Sequence, residues 1–236
     1  MNIEAKIDPV SDAYSSHRFI YFDIETIPCQ DDEYLLELER KVKPPANLKK
    51  PESIEKWLSE NRKSEAIKAM SKTSFDGGRG HICTISWAKN DSGISVLHAK
   101  TILEERDVIQ GFFDEFDLYH SETLVGHNIS GFDIGFLRKR AIVLGVRLPD
   151  QSSFPRDPKP WDKSILDTMS AWAGGAGKVS MDSLCEILGV EGKQGFDGSM
   201  VASAWNSGDH DTIADYCKDD VWRTREIHKC FIRAGL

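Results

Sequence analysis

The stretch Phe19-Ile20-Tyr21-Phe22-Asp23-Ile24-Glu25-Thr26-Ile27-Pro28 limits what this chain can become. Its apolar, β-branched and aromatic residues read as a buried strand, and two acids interrupt it. Alternate side chains of a strand share a face, so Asp23 and Glu25 stand side by side while Ile20, Phe22 and Ile24 take the opposite face. Carboxylates on a buried strand are costly unless a cation neutralises them. Hard divalent ions such as Mg²⁺ select oxygen donors of this kind. The same pattern also suits a strand end with two solvated acids, or acids paired to Lys or Arg. The rest of the chain has to arbitrate.

A length of 236 residues suits one sizeable domain, or one domain with an elaborate insertion. With 40% hydrophobic and 29% charged residues, a packed core is expected rather than disorder. No apolar run approaches the ~20 residues that span a membrane. The polar segment 1–17 has no apolar targeting core, so neither membrane insertion nor secretion is expected. The five cysteines are scattered and form no C-x-x-C pair, which points to a reduced, cytoplasmic setting without a zinc site. A net charge of −8 argues against broad nonspecific adhesion to nucleic acid. It leaves room for an enzyme that grips nucleic acid through bound metals and a local basic surface. The charge is uneven: between Arg40 and Lys72 stand ten basic residues against four acidic ones.

Along the chain, 1–17 reads as a polar lead-in and 18–236 as a single domain, with 31–80 an insertion carrying helices at 31–42 and 51–70. The second of these has Ile54, Trp57, Leu58, Ile67 and Met70 on its apolar side and a break near Asn61. Strands follow at 81–88 and 94–99, joined by the Asn90-Asp91-Ser92-Gly93 hairpin turn. Then come a helix at 104–120, a short buried strand at 123–126 and a helix from Asp133 to Leu144, stopped by Gly145. A proline-rich loop covers 150–162, a strand 165–168, and helices 180–188, 199–205 and 210–232. This order predicts an α/β fold with a mixed sheet covered by helices on both faces.

Two further groups of residues join the strand acids. Asp133 opens a helix just after a strand, where sheets deliver functional groups, although an acid there also serves as an ordinary cap. Tyr216 and Asp220 are four residues apart on a helix and share one face. A Tyr–Asp hydrogen bond on a solvated helix has the same spacing. The apolar face is supplied separately by Ile213, Cys217 and Val221, so neither residue is needed to make the helix amphipathic. Four carboxylates from three segments, with one phenol, make a two-metal oxygen site suited to phosphoryl displacement. A phenol with an ordinary pKa of about 10 is a poor base at neutral pH, so Tyr216 orients water rather than deprotonating it.

The segments now assemble into a resemblance. Phe22-Asp23-Ile24-Glu25-Thr26 is similar to the first motif of the DEDD, or DnaQ-like, 3′-5′ exonucleases. Asn128-Ile129-Ser130-Gly131-Phe132-Asp133 resembles the second, and Tyr216-Cys217-Lys218-Asp219-Asp220 the third in its tyrosine form. The histidine form would need His where Asp215 stands. The resemblance spans 19–231 and is closest to stand-alone bacterial and phage exonucleases related to family B polymerase proofreading domains. It implies a ribonuclease-H-like fold with a five-stranded mixed sheet. It also implies dependence on two Mg²⁺ or Mn²⁺ ions and release of 5′-mononucleotides from single-stranded 3′ ends, DNA in preference to RNA. By position, Asp23 would bridge both ions, Glu25 and Asp220 would complete the nucleophile-side ion, and Asp133 would serve the other. Thr26, Asn128 and Phe132 match positions that meet the terminal nucleotide, though Phe132 also suits a core aromatic.

An exoribonuclease, or a binding module that kept the fold and lost catalysis, shares most of these features. The complete acid set separates this chain from the second. With no polymerase region expected in 236 residues, proofreading would act in trans with a polymerase or repair partner. The basic 40–72 stretch suits either a phosphate track or a solvated helix face. His127 and Asp167 read as supports of the second motif, and Trp57 as a helix anchor.

Overall fold

The computed structural model describes residues 8–116, 122–159, 162–174, 177–192 and 195–236. Five strands form one sheet: β1 (Phe19–Ile27), β2 (His81–Lys89), β3 (Ser95–His98), β4 (Thr123–Gly126) and β5 (Ile165–Asp167), in the order β3-β2-β1-β4-β5. The β1–β2 and β2–β3 pairs are antiparallel, and the β1–β4 and β4–β5 pairs are parallel. The sheet is therefore mixed, as the hairpin at Asn90–Gly93 requires.

The helices are α1 (Pro9–Ser16), α2 (Asp32–Lys41), α3 (Pro51–Ser71), α4 (Glu105–Phe113), α5 (Asp133–Leu144), α6 (Thr168–Ala173), α7 (Met181–Leu188), α8 (Val201–Ser207) and α9 (His210–Ala234). On one face of the sheet, Ile20, Phe22 and Ile24 pack with Phe112 of α4 and Leu137 of α5. On the other, Tyr21 packs with Val221 of α9, and Ile27 with Val201 of α8 and Ile213 of α9. The period-two alternation of β1 thus sends its apolar side to α4 and α5 and its acid-bearing side toward α9.

Two details of β1 matter for the site. Its parallel pairing with β4 covers only Phe19, Ile20 and Tyr21, so Asp23 and Glu25 lie beyond the paired part. Parallel strands that part at their C-terminal ends leave a crevice there, where α/β proteins place ligands. The β1–β2 register also shifts between Glu25 and Thr26, leaving Cys83 as the extra residue on β2. Such bulges re-aim side chains.

Some expectations are corrected. The lead-in carries α1, whose Val10 is buried and whose Tyr14 hydroxyl lies 3.0 Å from that of Tyr21. Helix α3 is unbroken at Asn61, whose side-chain amide donates to the Trp57 carbonyl within the same helix (2.9 Å). Ala66 is its buried residue, and Ile67 faces solvent. Helix α4 stops at Phe113, and 117–120 of the expected helix lie outside the described residues. Gly145 ends α5 at φ 65°, a conformation glycine adopts without steric cost.

Candidate active site

Asp23 and Glu25 project from one face of β1, and Cys217 of α9 meets them: one ligand atom from each of the three lies within 4.8 Å of the others. The Cys217 thiol donates to the Asp23 carbonyl at 3.4 Å and to its Oδ2 at 3.5 Å. The sequence places this sulfur on the apolar side of the last helix, which is correct. Its approach to an acid 194 positions away has no local signal.

Asp133 opens α5 and is buried. Its carboxyl accepts hydrogen bonds from its own N–H and from that of Ile24, and it lies within the field of Asp167 and Asp220. Asp220 and Tyr216 project from α9, both buried, and the phenol hydrogen-bonds the Asp220 carboxylate. The Tyr–Asp hydrogen bond suggested by their spacing forms, on a buried rather than a solvated face. Arg223, one turn further on, donates from Nη1 to Asp220 Oδ1 at 2.8 Å.

Protonation reports how close these acids are. Asp23 is pushed well above the ordinary carboxyl range, first by burial, then by the charges of Glu25, Asp220 and Asp133. Asp133 is pushed up to about 7, first by burial, with Asp167 and Asp220 adding to it. The Tyr216 phenol is also raised, by burial and then by Asp220, Glu25 and Asp23. It keeps its proton at any physiological pH, which fits an orienting group and not a base. Acids from β1, α5 and α9 therefore share one electrostatic neighbourhood. The donors are mainly hard oxygens and their charge is under-compensated, which is the environment a divalent cation relieves.

The loop between β4 and α5 is held by Asp167, which caps α6 by accepting from Met169 N–H (3.1 Å) and Ser170 N–H (3.3 Å). The same carboxylate accepts from Asn128 N–H (2.9 Å), from Ser130 N–H (3.1 Å) and from the Ser130 hydroxyl. Asp167 is thus both cap and brace. His127 is also internal, with Nδ1 3.0 Å from the Thr168 hydroxyl and Nε2 3.0 Å from the Val179 carbonyl. Asn128 sits at φ 65°, a left-handed conformation that Asn tolerates better than most residues.

Of the three expected nucleotide contacts, Asn128 and Phe132 lie on this loop, half-buried, and Phe132 stands 5.4 Å from the Phe136 ring. Thr26 follows Glu25, and its hydroxyl donates to the Ser74 carbonyl at 2.8 Å, which leaves it acceptor capacity only. Arg223, Cys217 and the bracing use of Asp167 complete the surroundings. Among the described residues no helix is long and apolar enough to cross a membrane.

Residues 79–233 match the family described as "predicted 3′-5′ exonuclease related to the exonuclease domain of PolB". A DNA polymerase of Desulfurococcus sp. (strain Tok) is 22% identical over 174 residues, covering 65% of this chain and 22% of the polymerase. The structure of the family B DNA polymerase from Pyrobaculum calidifontis superposes with a TM-score of 0.56 at 21% identity, over 88% of this chain and 23% of that one. The chain thus spans less than a quarter of either polymerase, and the likeness establishes the ribonuclease-H-like exonuclease fold. With its matched region covering α4, α5 and α9 together with strands β2 to β5, this chain belongs to the family of predicted 3′-5′ exonucleases related to the exonuclease domain of PolB, within the DEDD superfamily.

Proposed function

We propose that the protein is a tyrosine-type, metal-dependent 3′-5′ exonuclease. It releases 5′-mononucleotides from single-stranded 3′ ends, with DNA preferred to RNA. The observation that carries this reading is the convergence of Asp23 with Glu25, Asp133 and Asp220 from three separate elements, close enough for the charges of the other three to raise the Asp23 carboxyl. Acids gathered so that they raise one another's pKa are characteristic of functional sites.

Asp23, Glu25, Asp133 and Asp220 would hold two Mg²⁺ or Mn²⁺ ions. When bound, such ions activate water and neutralise charge developing on the phosphoryl oxygens. The remaining work belongs to the chain. Arg223 donates to one oxygen of Asp220 and fixes the carboxylate's orientation on α9. Tyr216 keeps its proton and orients the attacking water by hydrogen bonding. Asn128 and Phe132, on a loop braced by Asp167, receive the terminal nucleotide together with Thr26. The water oxygen joins phosphorus as the P–O3′ bond breaks, the water losing one proton and the departing O3′ taking one up, which gives a 5′-mononucleotide and a new 3′-hydroxyl.

The test is mononucleotide release from 3′-labelled single-stranded DNA, duplex DNA and RNA under matched metal and salt. The single-stranded DNA is expected to be degraded fastest and the Asp23→Ala variant to be inert on all three. Wild-type rates in that variant would overturn the assignment. Faster degradation of RNA would leave the chemistry in place and reverse the substrate preference.

A further inference from the structure

The mechanism above leaves an aromatic side chain unexplained. Phe75 ends the 3₁₀ turn Lys72–Phe75 that follows α3, and it is 75% exposed. A large ring in water on a mobile loop would need no account, since scattered surface apolar residues are normal. This turn is anchored on both flanks. The Thr73 hydroxyl accepts from Cys29 N–H (2.7 Å) and donates to the Met70 carbonyl (2.6 Å). The Thr26 hydroxyl donates to the Ser74 carbonyl at 2.8 Å. Just beyond, Gly77 lies so close to α5 that an added Cβ would stand 2.9 Å from the Phe136 carbonyl oxygen.

The ring therefore projects from a turn tied to the segments that carry the first two motifs. Thr26, which anchors the turn through Ser74, is the residue after Glu25, and Phe132, the ring's aromatic neighbour among the described residues, is the residue before Asp133. The Phe75 and Phe132 rings meet edge-to-face, with centroids 6.4 Å apart at 63°. That contact engages part of the ring and leaves most of it open. The helix leading to the turn carries exposed Arg62 and Lys63, and the turn itself Lys72, none with an ion-pair partner among the described residues. A polyanion is the ligand such a surface favours. Phe75 also lies outside the family match, which begins at residue 79, and within the 31–80 segment read from the sequence as an insertion.

We propose that Phe75 is a stacking surface for a nucleobase of the single strand whose 3′ end enters the acid cluster. The assignment rests on the proposed exonuclease reading. Base–aromatic stacking is tolerant of sequence because every base offers a π face, so Phe75 adds affinity and position without selecting a base.

The probe is a short single-stranded DNA with 2-aminopurine as its 3′-terminal base, titrated with Ca²⁺ in place of the activating ion. In the wild-type protein, binding is expected to quench the fluorophore by stacking. Phe75→Ala is expected to weaken binding about tenfold and to lose most of the quenching. Phe75→Trp should restore both, and Phe75→Leu should restore part of the affinity without the quenching. In turnover with Mn²⁺, the loss should fall on KM rather than kcat. Calorimetric Mn²⁺ binding shows in each variant that the fold and acid cluster persist. Wild-type affinity and quenching in Phe75→Ala, from a protein that degrades DNA, would overturn the stacking assignment alone. A wild-type protein that neither binds nor degrades the oligonucleotide would remove this proposal and the exonuclease reading together.

Discussion

Glu105 and Asp133 occupy equivalent places and behave in opposite ways. Each is the first residue of its helix, α4 or α5, and each is buried. A helix N-terminus stabilises a carboxylate in both cases. Yet burial raises Asp133 to about 7. At Glu105, burial is outweighed by hydrogen bonds from His81, Arg140 and Ile82 N–H, and the carboxyl falls below its ordinary value. The partners explain the difference. Arg140 donates to both Glu105 oxygens at 2.7 Å, and Ile82 N–H adds a bond at 2.8 Å. Asp133 receives backbone N–H groups, but its charged neighbours are other acids. One carboxylate is neutralised within the fold and holds elements together. The other is set among like charges, as the proposed metal site requires.

The contrast can be broken most severely at Asp23. Asp23→Asn is expected to lower nuclease rates about a thousandfold or more, since it removes an acid of the proposed metal site. The same substitution should leave the metal-free protein as stable or more so, because it deletes buried like-charge repulsion. Rates on labelled DNA and urea midpoints check both halves, and a marked loss of stability would show that Asp23 is structural. Glu105→Gln should do the reverse. It leaves Arg140 buried without its partner and should cost about 3–5 kcal/mol in urea unfolding. Activity per folded molecule should persist.

pH sharpens the same comparison. Asp133 titrates higher when folded than its ordinary value of 3.8, so the folded chain holds more protons than the unfolded one between roughly pH 4 and 7. The metal-free protein should therefore lose stability as pH rises through that window. Mn²⁺ and Asp133→Asn should each reduce the slope, to which the raised Asp23 also contributes. Glu105 has the opposite sign, because its contribution is present above the ordinary carboxyl range and disappears as pH falls below it. Stability curves at several pH values, with and without Mn²⁺, distinguish the two groups. A rising slope between pH 4 and 7 in the metal-free protein would contradict the assignment at Asp133.

The smallest effect is expected at Tyr216. Tyr216→Phe removes one hydrogen bond to a charged group, a loss of about 1.5–3 kcal/mol, or roughly ten- to a hundredfold in rate. Calorimetric Mn²⁺ affinity should stay near wild type. A fall in affinity as large as that of Asp23→Asn would make Tyr216 part of the metal site.

Local spacing determined a good deal of this protein. A period of two placed Asp23 and Glu25 on one face of β1, opposite Ile20, Phe22 and Ile24. A separation of four put Tyr216 and Asp220 together on α9. Gly145 marked the end of α5. Such features depend on dihedral geometry and neighbours a few residues away, so they are written in the order of the chain. Other features depended on which surfaces met. The Arg140–Glu105 pair joins residues 35 positions apart, and the Cys217–Asp23 contact joins residues 194 apart. Asp167 could be read as a cap from its position before α6, but its grip on the Asn128–Ser130 loop required β4 and β5 to lie side by side. Ala66 rather than Ile67 is buried in α3 because packing against its neighbours, and not side-chain apolarity, chose the inward face. Nor could any period in the sequence have shown that Phe75 and Phe132, 57 positions apart by their numbering, would be brought face to edge. Contacts between distant segments carry no periodic signature, because their geometry is set only when the whole chain has packed.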